Sequence, residues 1–367
     1  PRGKRFETMP TALIFAARAA AFAFGAWLAG AVVLSAIRTF ILPRRENTLL
    51  TRFVFMVVGV FIRLRLKWAK NYEQRDRILA FTSPLALFIL PLLWLSLVSI
   101  GYTAMFWSVS TSLNLREAFV LSGSSLLTLG FRFQDELPVI VLAFSEAALG
   151  MMLVALLIGY LPTLYSTFSA REVAVTKLEV RAGVPPSPVE MIRRLQFVEA
   201  LQKPEEMHVI WSDWEDWFTM VGETHTTLAP LIFFRSPSPG LHWLTAAGTV
   251  LDTAALISST VDVPARLQAG LTIRAGFIAL RNIADFFGIY YDPDPQPGDP
   301  ISITQSEFDA AYDELIEKGV AVRPDRKACW AAFTGWRVNY DEVLIQLAAF
   351  LQTPYTPWIT DRTLPEK

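Results

Sequence analysis

Residues 114–165, NLREAFVLSGSSLLTLGFRFQDELPVIVLAFSEAALGMMLVALLIGYLPTLY, decide the fold. The run from Pro138 to Leu161 carries a single charge, Glu146. As a helix it is about 36 Å long at 1.5 Å per residue, enough to cross a bilayer. The segment before it, Leu115 to Leu127, is too short to span and too apolar to lie in water. Asn114 is a good N-cap, and Glu117 three residues on completes the spacing of a capping box. A short helix, then Thr128-Leu129-Gly130-Phe131, an acidic turn and a spanning helix make a re-entrant loop, in which carbonyls released from a helix line a water-filled axis.

Ser124 to Phe131, SSLLTLGF, resembles the filter of potassium channels with two membrane helices around a pore loop, where Thr-Val-Gly-Tyr-Gly is usual. Thr128 matches the threonine, Leu129 the valine, Gly130 the first glycine and Phe131 the aromatic residue. Arg132 stands where the family has its second glycine, a position that favours φ > 0. A ring of arginines there repels cations unless it folds outward or pairs with Asp135 or Glu136 at the outer mouth. The resemblance covers roughly residues 78–165. It implies a selectivity filter of backbone carbonyls, potassium or another monovalent cation as the permeant ion, no cofactor, and a homotetramer around one axis. The C-terminal end of the short helix would turn its negative dipole toward a central cavity.

Two features of the spanning helix stand out. Glu146 lies about two turns in, and an intramembrane carboxylate marks function by default. Three roles are open to it: pairing with Arg132, hydrogen-bonding the short helix through Ser124 or Ser125, or staying protonated behind the filter. A structural bond between helices competes with all three. Gly150 and Gly159 are candidate hinges, with close helix packing as the alternative.

Of 367 residues, 53% are hydrophobic and 13% aromatic, with a mean hydropathy of +0.37, high for a chain in water. The net charge of −1 hides an asymmetry: residues 1–170 carry +8 and residues 171–367 carry −9. A basic apolar half followed by an acidic half fits a membrane part and a water-facing domain, and argues against nucleic acid as a partner. Cys329 is alone, so no disulfide framework exists, and a small buried hydrophobe is its reading.

In chain order, Thr11 to Leu42 is a first spanning segment, ended by Pro43-Arg44-Arg45, with Arg18 placed to snorkel. Residues 48–70 have an uncharged core of about ten residues between Arg52 and Arg63, short for a span and suited to an interfacial helix. The six Lys and Arg from Arg63 to Arg77 place this face in the cytoplasm. Residues 1–10 then lie outside, or inside if residues 48–70 cross. Ile78 to Trp107 is uncharged and forms a span that Pro84 and Pro91 are expected to kink.

From Val173 the pattern changes to short alternation, broken at Pro185-Pro186-Ser187-Pro188. Helices follow: one with the aromatic stripe Trp211, Trp214, Trp217, Phe218; a buried one over residues 241–261; one with Arg266, Arg274 and Arg281 along a polar face; and two near residues 306–318 and 325–352. No G-x-G-x-x-G or P-loop occurs. Glu215, Glu223 and His225 make a weak metal or acid–base signal against a histidine hydrogen-bonded in a bundle. The acidic, Pro-rich loop from Tyr291 to Pro300 lacks calcium-loop spacing and reads as a rigid connector.

The expected architecture is mainly α: an integral membrane, potassium-channel-like pore domain followed by a soluble all-α cytoplasmic domain. Residues 1–47 form the N-terminal transmembrane helix, 48–77 the interfacial helix and basic linker, 78–170 the pore domain and 171–367 the cytoplasmic domain. The expected function is a tetrameric, potassium-conducting cation channel of the inner membrane, with the Thr128–Phe131 carbonyls as its filter and the helical cytoplasmic domain as its gate. The alternative is a non-conducting, channel-like sensor or scaffold whose acidic domain binds an unknown cytoplasmic ligand or partner. With three His and one Cys, no nucleophile–base–orienter set can be assembled, so no enzyme is expected.

Overall fold

The computed structural model describes residues 11–40, 49–263 and 267–362. Among these the chain is mainly helical, and its only extended pairing is an isolated bridge between Val261 and Val322. In order, the helices are α1 (Thr11–Phe40), α2 (Leu49–Leu66), α3 (Tyr72–Leu79), α4 (Thr82–Val109), α5 (Leu115–Leu126), α6 (Leu137–Ala182), α7 (Pro188–Phe197), α8 (Pro204–Thr227), α9 (Trp243–Ser259), α10 (Leu267–Phe287), α11 (Gln305–Glu317), α12 (Arg326–Arg337) and α13 (Asp341–Leu351). Three stretches are long and apolar enough to cross a membrane, within Ala12–Phe40, Tyr72–Val109 and Leu137–Ala182. The stop at Pro43-Arg44-Arg45, the side of residues 1–10 and the stripe position Arg266 lie outside the described residues.

The chain divides into two compact units, Pro1–Phe61 with Pro84–Thr163, and Ile62–Ser83 with Leu164–Lys367. In the first, α1 and α4 cross at glycines. A Cβ on Gly25 would sit 2.2 Å from the Gly101 carbonyl oxygen, so only glycine admits this approach. Arg18 donates to the Ser110 carbonyl at 3.3 Å and lies over the Trp107 ring, capping the end of α4. Phe40 packs edge-on against Trp94 and 4.5 Å from the Tyr160 ring, tying α1 to α4 and α6. Pro84 falls in the first turn of α4, where its missing N–H is no loss; Pro91 alone stands in the interior.

Helix α6 runs unbroken for 46 residues, about 69 Å, more than twice the hydrocarbon thickness. The alternation that starts at Val173 is helical: Val175, Leu178 and Ala182 share a buried face while Lys177 and Val180 are exposed. No glycine or proline interrupts Leu164 to Ala182, and Gly183, at φ +80°, ends the helix.

In the second unit α9 is the centre. All but one of its 17 residues are buried, with α7, α10, α12 and α13 packed around it. The stripe Trp211, Trp214, Trp217 and Phe218 turns α8 into this core, and Gly222 meets Ala279 where α8 and α10 approach. The expected helix over 325–352 is two helices, because the chain turns through Val338–Tyr340 before α13. Cys329 is buried.

Candidate functional site

Helix α5 is fixed at its start by both arms of the capping box: the Glu117 N–H donates to Asn114 Oδ1 at 3.0 Å, and the Asn114 N–H to Glu117 Oε2 at 3.1 Å. At its end the following loop folds back. The N–H of Leu127 donates to the Gly123 carbonyl (3.3 Å) and that of Thr128 to Ser125 (3.0 Å). The N–H groups of Leu129 and Gly130 share the Ser124 carbonyl at 2.8 and 3.4 Å. Three of the last carbonyls of α5 are therefore satisfied by the loop, which weakens the negative helix end expected to face a cavity.

The reverse side of that bonding matters more. Among the described residues nothing donates to the carbonyls of Thr128, Leu129, Gly130 or Phe131. Thr128 has φ +54° and Gly130 φ +69°. A β-branched residue in the left-handed region costs about 1–3 kcal/mol, so the loop geometry is imposed by its surroundings. The side chains of Leu127, Leu129, Phe131 and Phe133 are all exposed in the single chain, Phe131 by 66%.

Arg132 is held differently from expectation. Its N–H donates to Ser124 Oγ at 3.1 Å, and its guanidinium lies 3.5 Å from Glu117, half-exposed. No described contact joins it to Asp135, to Glu136 or to Glu146. Asp135 is exposed, and Glu136 accepts from Ser110 Oγ (2.7 Å), Ser112 Oγ (3.0 Å) and Gln134 Nε2 (3.4 Å). Arg132 does not adopt a positive φ, so its side chain meets no backbone strain where the resemblance has a glycine.

Glu146 is fully buried, and its Oε1 accepts from Ser122 Oγ at 2.6 Å. The partner is thus on α5, two residues before Ser124 and three before Ser125. Ser122 lies 2.9 Å from Ser99 Oγ, so one hydroxyl joins α4, α5 and α6. Glu146 Oε2 has no partner among the described residues. Tyr102 and Ser145 add a second α4–α6 bond at 3.0 Å. Gly150 faces the end of α5: a Cβ there would sit 2.4 Å from the Leu126 carbonyl oxygen. Around Gly159 the space is open.

The second unit holds no cluster of three metal-ligating side chains among the described residues. His225 is a buried bundle histidine. Its Nδ1 donates to the Val221 carbonyl (2.9 Å), which leaves Nε2 to accept from Arg171 Nη1 at 3.1 Å. Arg171 also donates to Glu172, to the Leu231 carbonyl and to the Phe234 carbonyl. Desolvation, then the Arg171 charge, hold the His225 imidazole well below its usual value, and burial does the same to His242. Unfolding exposes both rings, so below about pH 6.5 the unfolded chain takes up protons that the folded unit refuses. Stability is complete above that pH and falls as pH drops below it. Thermal midpoints measured from neutral to mildly acid pH are expected to show this decline, with a shallower slope for His242→Asn, which keeps a side-chain cap on α9.

The Tyr291–Pro300 loop borders a cavity of about 510 Å³ against α13. Its carboxylates serve the loop: Asp292 Oδ1 accepts from the Asp294 N–H and Asp299 Oδ2 from the Gln296 N–H. Glu342 of α13 accepts the Asp292 N–H at 2.6 Å. No protein-family model, curated protein or solved structure matches the chain.

Proposed function

We propose that four copies of this chain form a cation channel of the potassium-channel kind, with the carbonyls of Thr128 to Phe131 replacing the hydration shell of a monovalent cation. One observation carries the reading. The N–H groups of Thr128, Leu129 and Gly130 are spent on Ser124 and Ser125, while the four successive carbonyls from Thr128 to Phe131 have no donor among the described residues. Such carbonyls are costly at membrane depth unless water or an ion meets them. The exposed Leu129 and Phe131 side chains are the surface that neighbouring copies would cover. In this reading the mouth is extracellular, residues 63–77 face the cytoplasm, and the helical domain controls the inner end of α6.

A second reading keeps the architecture and drops conduction, leaving a membrane sensor or scaffold. Arg132 in the place of a glycine favours it. Ion flux through liposomes holding the purified protein separates the two. The channel reading expects potassium flux that barium blocks, and a changed conductance or selectivity for Thr128→Ala, which removes a hydroxyl from the inner end of the loop. Thr128→Ala with unaltered flux would sink the carbonyl filter. A confirmed tetramer passing neither potassium nor sodium favours the second reading.

A further inference from the structure

We propose that the segment from Arg63 to Arg77 is a docking surface for anionic phospholipid headgroups. The sequence puts six cations into fifteen residues: Arg63, Arg65, Lys67, Lys70, Arg75 and Arg77. All six are exposed. Such a density on a folded surface repels itself unless something anionic lies over it. The described residues do not supply that charge. Of the two carboxylates in the segment, Asp76 is turned inward, accepting from Tyr72 at 3.2 Å and lying 3.4 Å from Arg235. Only Glu73 remains at the surface. Arg75 reaches the neutral Gln352 at 3.3 Å, and the other five have no acidic partner among the described residues.

The segment is also built rather than loose. Asn71 caps α3 by accepting the Gln74 N–H at 3.0 Å, and the Lys70 N–H donates to Gln74 Oε1 at 2.9 Å. Ser83 Oγ donates to the Pro230 carbonyl at 2.6 Å, which ties the far end to the 3₁₀ turn at Ala229–Phe233. Between the cations sits Trp68, 78% exposed, with Leu64 and Phe81 also exposed. An indole beside cations and apolar side chains is the combination that settles at the headgroup level, apolar body inward and charges on phosphate. A soluble anion would satisfy the charges and leave Trp68 in water; a lipid satisfies both.

The inference requires that the chain sit in a bilayer, not that it conduct, so it is tested without flux. The full chain, purified in a neutral detergent, is heated with added phosphatidylglycerol or phosphatidylcholine. Phosphatidylglycerol is expected to raise the unfolding midpoint by several degrees, an effect that high salt removes, while phosphatidylcholine leaves it unchanged. Arg63→Gln/Arg65→Gln/Lys67→Gln/Lys70→Gln loses the phosphatidylglycerol shift. Arg63→Lys/Arg65→Lys keeps it, which separates lost charge from a damaged fold. Equal shifts from both lipids, an undiminished shift in the glutamine variant, or the same shift from glycerol phosphate alone would overturn the proposal.

Discussion

Gly150→Ala is expected to destabilise the membrane unit by about 3 kcal/mol, while Gly159→Ala leaves it unchanged or slightly more stable. The new Cβ at position 150 would lie 2.4 Å from the Leu126 carbonyl oxygen, with Leu126 Cδ1 at 3.0 Å. Overpacking usually costs about 1–3 kcal/mol, and the upper end applies because the obstructing atom is backbone, not the tip of a flexible side chain. Relief requires α5 and α6 to separate, which would stretch the 2.6 Å Ser122–Glu146 bond that joins the same pair. Nothing lies within 4 Å of a Cβ at Gly159, and alanine gains about 1 kcal/mol of helix propensity over glycine. Thermal unfolding in detergent compares the two variants. Equal midpoints would mean that Gly150 serves something other than contact. If the chain conducts, Gly150→Ala also displaces the end of α5 from which the Thr128 loop hangs, so flux should fall with stability.

Local rules made the helices legible. The Asn114–Glu117 capping box, the spanning lengths and the Trp211–Phe218 stripe depend on near neighbours, and the helices formed where those signals lay. The run over residues 241–261 could be read as a buried helix because Pro239-Gly240 and Asp262 bound it and no basic residue flanks it. Partners distant in sequence were not legible. Glu146 finds Ser122, not Ser124 or Ser125, because the choice depends on how α5 rotates against α6, and Ser124 is engaged by the Arg132 N–H instead. Arg132 finds Glu117 across the loop, not the adjacent Asp135 or Glu136, because the chain doubles back along α5. Boundaries also failed where tertiary packing overrides periodicity. The turn at Val338–Tyr340 interrupts an otherwise continuous helical pattern so that Tyr340 and Asp341 meet Asp252 and Arg337.

That last junction carries the other large effect: Arg337→Met is expected to unfold much of the helical unit. Arg337 is completely buried, and each of its three guanidinium nitrogens donates: Nε to Asp341 Oδ1 at 2.7 Å, Nη1 to Asp252 Oδ1, and Nη2 to the Trp358 carbonyl at 2.8 Å. Burial alone would make the group give up its proton more easily, but Asp252 and Asp341 outweigh that and hold it charged, above its usual value. Methionine fills most of the space and leaves Asp252 with only the Tyr340 hydroxyl at 2.9 Å, an uncompensated charge in the core. Removing one partner of a buried pair costs about 3–5 kcal/mol, against total stabilities of about 5–15 kcal/mol for ordinary domains. Asp341 suffers less, because the Ser302 N–H and hydroxyl remain at 2.8 and 2.7 Å. The defect therefore resides in Asp252, and Asp252→Leu in the Arg337→Met background should recover part of the loss. Urea unfolding followed by tryptophan fluorescence measures the cycle, since Trp243 and Trp358 belong to this core. Strictly additive losses, or a single variant costing under about 1 kcal/mol, would show that α9 and α12 are held by apolar packing and that the charges are incidental.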